Sequence, residues 1–490
     1  MKTRFVKLAL LSAALFAAAP AFAQSVDDKI KSLEQELSQL KDQQIEMKKE
    51  ATAAAAALPT FSYRPGNGLN IEAADKSWGF RATIESHFRM YFNQGQDQYE
   101  RTNGEIEARR FRPGFFYCID NCLWEIESTW DLDGFGGNSL FQRAAVHFHA
   151  ENLNPFLPTI DFGADVSTSA GGTIRQGSSA IGTQADYDLM SRNNGFNTGS
   201  SGQGIVFNWD DRPLTAIGIP GRISRFQLAY AVPGKGSDNT FMYTDRKDLV
   251  AFLGIDPLAN VKNKWLSGIK FEMGWWYCAV DQRQNGTNAV QNSCNRSRVR
   301  ENENGANSQT TIYDTGTLVG AGRQKYVNLG FQYTVGPYRW RSIVGNMNYS
   351  GGNFTPCCSQ ALKGDPSANV FLIAHDLFLW SPKGWLTGTA QTPGSILVGT
   401  HFERDNFNCN NCPNINGGQY HRERVLLREW DLWYFIAPAM SVGVNWIWYD
   451  ASNLRNGQGQ AQDEIFNKAN ARQGAGGNWV NVILNWRYTF

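Results

Sequence analysis

From about Trp78 onward, apolar and polar residues alternate in short runs separated by Gly- and Asn-rich stretches. The clearest run covers 478–490. Val480, Val482, Leu484, Trp486, Tyr488 and Phe490 take every second position, with Asn481, Ile483, Asn485, Arg487 and Thr489 between them. A strand points successive side chains to opposite faces, so one face here is greasy and the other mostly polar. The same reading predicts strands near 79–92, 105–118, 122–133, 140–151, 158–167, 203–212, 223–232 and 246–256. A second set falls near 266–280, 323–336, 338–350, 367–381, 394–406, 420–436, 440–451 and 478–490, making sixteen. The connections alternate in length. Cys118–Cys122, Val335–Pro337, Ser381–Gly384 and Ala437–Ala439 read as tight turns, whereas 168–202, 281–322 and 452–477 are long and polar.

The N-terminal pattern is different. Lys2, Arg4 and Lys7 precede an apolar run from Leu8 to Ala19, and Ala21-Phe22-Ala23 supplies small residues at the cleavage positions. This predicts a secretory signal peptide over 1–23. Val26, Ile30, Leu33, Leu37, Leu40 and Met47 then fall at alternating spacings of four and three, with Gln44 in the remaining seam position. Such heptads predict a helix that self-associates, a periplasmic coiled-coil stalk over 24–58; a lone helix lying against something else is the alternative. Pro59 and Pro65-Gly66-Asn67-Gly68 break it, so 59–77 reads as a linker.

An exported chain with sixteen alternating strands suits a 16-stranded antiparallel transmembrane β-barrel over 78–490 in the bacterial outer membrane, greasy faces to lipid and polar faces to a wet lumen. A soluble sandwich is the alternative. Charged residues make up 19%, and Gly reaches 48 against 17 Pro. A mean hydropathy of -0.41 fits a wide barrel, because half of each strand and its loops face water. The net charge of +1 gives no general pull toward polyanions, so no nucleic-acid partner is expected and charge selectivity must be local. Clustered aromatics at Trp275–Tyr277, Trp430–Phe435 and Trp446–Tyr449 predict girdles at the lipid–water interfaces.

Parity then assigns the lumen. Arg81 and Arg89 face inward on the first strand, Arg110 and Arg112 on the second, Arg143 on the fourth, and Arg339 and Arg341 on the eleventh. Glu125, Glu127 and Asp131 face inward on the third. An arginine column beside an acidic column would set up a transverse field; guanidinium groups stay charged and grip oxyanions with two donors. The alternative is that these pairs only neutralise each other and stiffen the wall. The 168–202 connection is the candidate constriction loop. Its charges, Arg175 and Arg192 against Asp186 and Asp188, cancel.

Two stretches carry a family resemblance. They are Glu107-Ala108-Arg109-Arg110-Phe111-Arg112-Pro113-Gly114 followed by Trp124 to Asp133, and Arg428-Glu429-Trp430-Asp431-Leu432-Trp433 followed by Ala437 to Tyr449. They resemble the phosphate- and pyrophosphate-selective outer-membrane porins. The resemblance implies a homotrimer with three separate pores and lysines near each narrowing; the 168–202 loop contains no lysine. The expected function is a porin for passive diffusion of small hydrophilic solutes or ions, with phosphate-like anions as the preference the resemblance implies, in contact with lipid and lipopolysaccharide. The alternative is a trimeric structural protein tethering the envelope through its stalk. No catalytic residues are expected, and a barrel enzyme is the third reading.

Eight cysteines come in near pairs: Cys118 and Cys122, Cys278 and Cys294, Cys357 and Cys358, Cys409 and Cys412. An even count in an exported chain favours disulfides over metal; for the strained vicinal pair, bonding elsewhere and staying free are the alternatives. No metal site or cofactor is expected. Asp131-Leu132-Asp133-Gly134 with Asn138 resembles a fragment of a calcium loop but lacks the distant bidentate carboxylate, so a loop-bound calcium is the alternative.

Overall fold

The computed structural model describes residues 26–56, 58–95, 103–130, 132, 141–166, 174, 202–218, 222–232, 248–279, 298–301, 310–314, 317–319, 323–350, 352–355, 362–381, 392–410, 423–450 and 478–489. The N-terminal part is one helix, Val26–Ala56, of 31 residues. Its seam residues Leu33, Leu37, Leu40 and Met47 are each more than half exposed. No described helix is long and apolar enough to cross a membrane.

The stretch expected as a linker folds into a hairpin of β1 (Thr60–Arg64) and β2 (Gly68–Glu72). Gly68 closes it at φ 79°, where an added Cβ would run into the Ala82 carbonyl, so glycine is required there.

The barrel takes nine consecutive strands: β3 (Trp78–Gly95), β4 (Asn103–Ile119), β5 (Trp124–Trp130), β6 (Phe141–His149), β7 (Thr159–Val166), β8 (Gly202–Trp209), β9 (Arg222–Val232), β10 (Asp248–Asp256) and β11 (Ile269–Ala279). A small hairpin of β12 (Arg298–Glu301) and β13 (Thr310–Asp314) follows, then β14 (Thr317–Val319). The wall resumes with β15 (Arg323–Val335) and β16 (Tyr338–Ser350), passes β17 (Gly352–Thr355), and continues through β18 (Leu362–Trp380), β19 (Ile396–Asn410), β20 (Glu423–Ala437), β21 (Met440–Asp450) and β22 (Asn478–Thr489). β14 and β17 pair with each other and extend one edge of β18. β22 pairs with β3 from Trp479↔Gly95 to Thr489↔Glu85, closing a 16-stranded antiparallel β-barrel. Below that last pair, β2 takes over the edge of β3, from Leu69↔Ala82 to Glu72↔Gly79.

The tight turn expected at Ser381–Gly384 lies outside the described residues beyond Ser381; β19 is entered through Ser395, whose hydroxyl donates to the Thr392 carbonyl. Two predicted details change. β18 itself starts at Leu362, earlier than expected: Leu362 to Gly364 pair with β17, and Asp365 and Pro366 pair with β19, Pro366 opposite Cys409. The aromatic clusters split between faces. Trp430, Tyr434 and Trp446 are exposed outside, but Trp276, Trp433 and Phe435 are buried inside. Consecutive strand residues must alternate, so a run of aromatics cannot all join a girdle.

Outside, Phe111, Phe115, Leu329, Val344, Leu432, Leu484 and Trp486 are exposed. That much contiguous apolar surface is incompatible with water and suits a lipid-facing belt, so the barrel sits in the bacterial outer membrane. The inner face of β16 to β21 is buried and mixed. Ile343, Met347, Leu372, Leu397, Leu427 and Ile447 alternate with carboxylates and polar groups rather than giving way to them.

Candidate functional site

The charged residues of the inner wall form two patches. The first crosses β5 to β9. His147 Nε2 lies 3.1 Å from Glu127 Oε2, and its Nδ1 lies 2.7 Å from Asp161 Oδ1. The network continues outward from both acids. Thr129 donates to Glu127 at 3.2 Å, Asn208 donates to Asp161, and Gln227 donates to Asn208 at 2.8 Å. One histidine and five neighbours thus tie five strands together on one face. The register makes this local: Asp161 lies opposite His147, and Asn208 opposite Gln227.

The second patch crosses β16 to β21. Asp376 accepts from Arg339 at 2.8 Å and from Arg341 at 3.1 Å. His401 sits between two carboxylates, 3.3 Å from Glu429 and 3.4 Å from Glu403. Asn445 donates to the other oxygen of Glu429 at 2.8 Å. Asp431 lies directly across from Gly399, and an added Cβ on that glycine would run into its carboxylate. Both Asp431 oxygens are buried and accept no hydrogen bond. Towards the tight-turn end, Phe378, Leu397, Trp433 and Phe435 form an apolar cluster beneath the patch. Gly443 leaves room for the Trp433 ring, which a Cβ there would meet.

A third contact comes from the long 167–201 connection. Ile174, its one described residue, is 2% exposed and donates its backbone N–H to Glu272 at 2.8 Å. Lys270 holds the other Glu272 oxygen at 3.0 Å, and Gly330 faces the Ile174 side chain. The connection between β7 and β8 therefore reaches the inner face of β11 and β15. Arg175, Asp186, Asp188 and Arg192 lie outside the described residues.

Among the other sequence-derived candidates, Arg81 lies 4.0 Å over the Phe116 ring, and Arg112 stands opposite Glu85 in register. Glu127 is buried, and Glu125 lies two positions away on the same face of β5. Arg339 and Arg341 converge on Asp376 rather than standing clear of the wall. For Arg89, Arg110 and Arg143 only the backbone is described; Arg110 pairs with His87 beside a bulge, and Arg143 with Thr129. Asp131 lies outside the described residues. A disulfide joins Cys118 and Cys122 across the β4–β5 turn. The side chains of Cys278 and Cys409, and the whole of Cys294, Cys357, Cys358 and Cys412, lie outside the described set. Asp133 and Asn138 of the calcium-like fragment do too. Among the described residues, no group of three His, Cys, Asp or Glu side chains could hold a metal ion.

The parity reading of the sequence overlooked Asp376, His401, Glu403, Asp405, Glu429 and Asp431. Their signal was present: His401, Glu403 and Asp405 alternate with Phe402 and Arg404, and Glu429 and Asp431 alternate with Trp430 and Leu432.

No protein-family model matches the chain, and no curated protein matches it. Solved structures do. The loop L8 deletion mutant of OmpT, an outer membrane protein of Vibrio cholerae, is 10% identical with a TM-score of 0.47, covering 84% of this chain and 100% of that one. Salmonella typhi OmpF in complex with daunomycin is 10% identical with a TM-score of 0.47, covering 85% and 99%. The outer membrane channel DcaP of Acinetobacter baumannii is 7% identical with a TM-score of 0.45, covering 84% and 98%.

Proposed function

We propose that the chain is a passive diffusion porin of the outer membrane that favours small hydrophilic cations. One observation carries this reading. Among the described residues, seven carboxylates of the inner wall are buried, Glu127, Glu272, Asp376, Glu403, Asp405, Glu429 and Asp431, against the guanidiniums Arg341 and Arg487 and the imidazoles His87 and His401, with Arg339 and Lys270 partly exposed beside them. Acidic residues lining a pore lower the barrier for cations and raise it for anions. The arginines behind the expected anion preference are partly spent: Arg339 and Arg341 both serve one aspartate. A phosphate-selective pore would need the opposite excess. The inward reach of Ile174 supports a constriction built on the same wall. The purified full-length protein in a planar bilayer tests the channel. Stepwise, ohmic conductance that scales with salt is expected, and membranes that stay silent at saturating protein would overturn it.

We also propose that the barrel assembles as a homotrimer through the helix Val26–Ala56. Its apolar seam is exposed in the single chain, and a heptad seam is buried by pairing with copies of itself. Deleting 24–58 should lower the oligomer mass in detergent while leaving conductance intact. Loss of an envelope phenotype with normal conductance would favour the tether role for this helix.

A further inference from the structure

The outer face of β19 and β20 carries two arginines among residues that suit lipid. Arg404 faces out on β19, with Phe371 and Leu426 as its cross-strand neighbours. Arg428 faces out on β20 between Phe402 and Trp448, its guanidinium carbon 4.2 Å over the Trp448 ring. Arg404 Nε donates to Asn406 Oδ1 at 3.0 Å. Among the described residues, no carboxylate pairs with either guanidinium. A charge that faces lipid without a counter-ion is tolerated only near the edge of the hydrocarbon band. The surroundings mark that edge. Asn369 lies opposite Asn406 and accepts from Asn346 at 2.6 Å, so polar side chains take over the outer face here. Just below, the Trp430 and Trp446 rings lie 5.5 Å apart, and tryptophan favours the lipid–water interface. From Ala437 at the tight turn to Arg428, β20 climbs about 30 Å, which a tilt of about 40° brings close to the roughly 25 Å height of the apolar band.

The end of the barrel identifies the lipid. Connections 411–422 and 451–477 leave from the arginine end, whereas β20 passes into β21 by a tight turn at the other. Long connections face the outside of the cell, so both arginines stand at the outer leaflet, whose lipid is a phosphorylated glycolipid. Lower on the same outer face an open apolar groove of about 510 Å³ begins, lined by Leu432, Tyr434, Val444, Leu484, Trp486 and Met90. Guanidiniums above a greasy groove match phosphates above acyl chains, because a guanidinium grips phosphate oxygens with paired donors. The two arginines hold diagonal positions about 7–8 Å apart, and each leans on a different neighbour, Asn406 or Trp448. That spacing suits a headgroup with two phosphates better than one. We propose that this face is a binding site for the bisphosphorylated lipid A portion of the outer-leaflet glycolipid, with Arg404 and Arg428 each holding a phosphate and an acyl chain lying in the groove.

The test is native mass spectrometry of the detergent-purified full-length protein titrated with bisphosphorylated lipid A, its monophosphorylated form and phosphatidylglycerol. Bisphosphorylated lipid A is expected to bind most tightly. Arg404→Gln and Arg428→Gln should each weaken it, and together by about tenfold or more, the value of a lost charge-assisted hydrogen bond. An unshifted heat-modifiable band on a gel shows that the variant barrels are folded. Neutralising Lys262 and Lys264, exposed in the β10–β11 turn at the other end, should leave binding unchanged. Phosphatidylglycerol bound as tightly, an equal loss from the lysine variant, or unchanged binding in the arginine variants overturns the site. A changed oligomer mass in the arginine variants with lipid binding intact overturns it too, and makes this face an interface between copies.

Discussion

Two histidines on the inner wall each stand between two carboxylates, yet their surroundings differ. His147 joins Glu127 to Asp161, and the remaining oxygens of that pair are taken up by Thr129 and Asn208. His401 joins Glu429 to Glu403, but Asp431 and Asp405 are buried in the same wall, and Asp431 has no donor at all. The first patch behaves as a strut: both oxygens of each acid are bonded, and hydrogen bonds run from strand to strand. The second concentrates five buried carboxylates, Asp376, Glu403, Asp405, Glu429 and Asp431, on one inner face. A pore wall can therefore be built from the same residue types to two ends, one holding strands together and one setting the field that a passing ion meets.

The largest test of this contrast is Asp376→Ala. It removes the carboxylate that Arg339 and Arg341 both contact in a wall where they are mostly buried, and should cost about 3–5 kcal/mol in reversible urea unfolding. Next comes the packing under the acidic patch. Gly443→Val should cost about 1–3 kcal/mol, because the new side chain meets the Trp433 ring; a shift of the heat-modifiable band on a gel would show it. The two patches should then part company directly. His147→Ala leaves Glu127 and Asp161 facing each other without a bridging donor and should destabilise by about 1–3 kcal/mol. Asp431→Asn replaces a buried carboxyl group that accepts no hydrogen bond and should leave stability unchanged or raised. Equal losses from both variants in the same urea series would erase the distinction. The smallest effect belongs to Arg81→Ala, which gives up a guanidinium–ring contact with Phe116 worth about 0.5–1 kcal/mol at a partly exposed site.

Much of the fold was legible because strand alternation is a strong local signal. The final strand shows why: Leu484 and Trp486 point out and Arg487 points in, as the spacing of 478–490 requires. The hairpin of β1 and β2 was missed because Pro65-Gly66-Asn67-Gly68 reads as a break, although it is the turn itself. The candidate site was legible only in part. Assigning every apolar residue to lipid works for β3 to β5 and fails for β16 to β21, where both faces are apolar and position alone does not separate Leu397 inside from Leu432 outside. Arginines attracted the reading as anion ligands, but a guanidinium's role depends on its cross-strand neighbour. Asp376 lies opposite Arg339 through a pairing that no one-dimensional pattern contains.

The sign of the field inside the barrel is read directly by the reversal potential of the purified protein in a planar bilayer under a potassium chloride gradient. A cation-selective potential that moves toward zero when Asp431→Asn and Glu403→Gln are combined is expected. An anion-selective potential, or a cation-selective one that the double variant leaves unmoved, would contradict it.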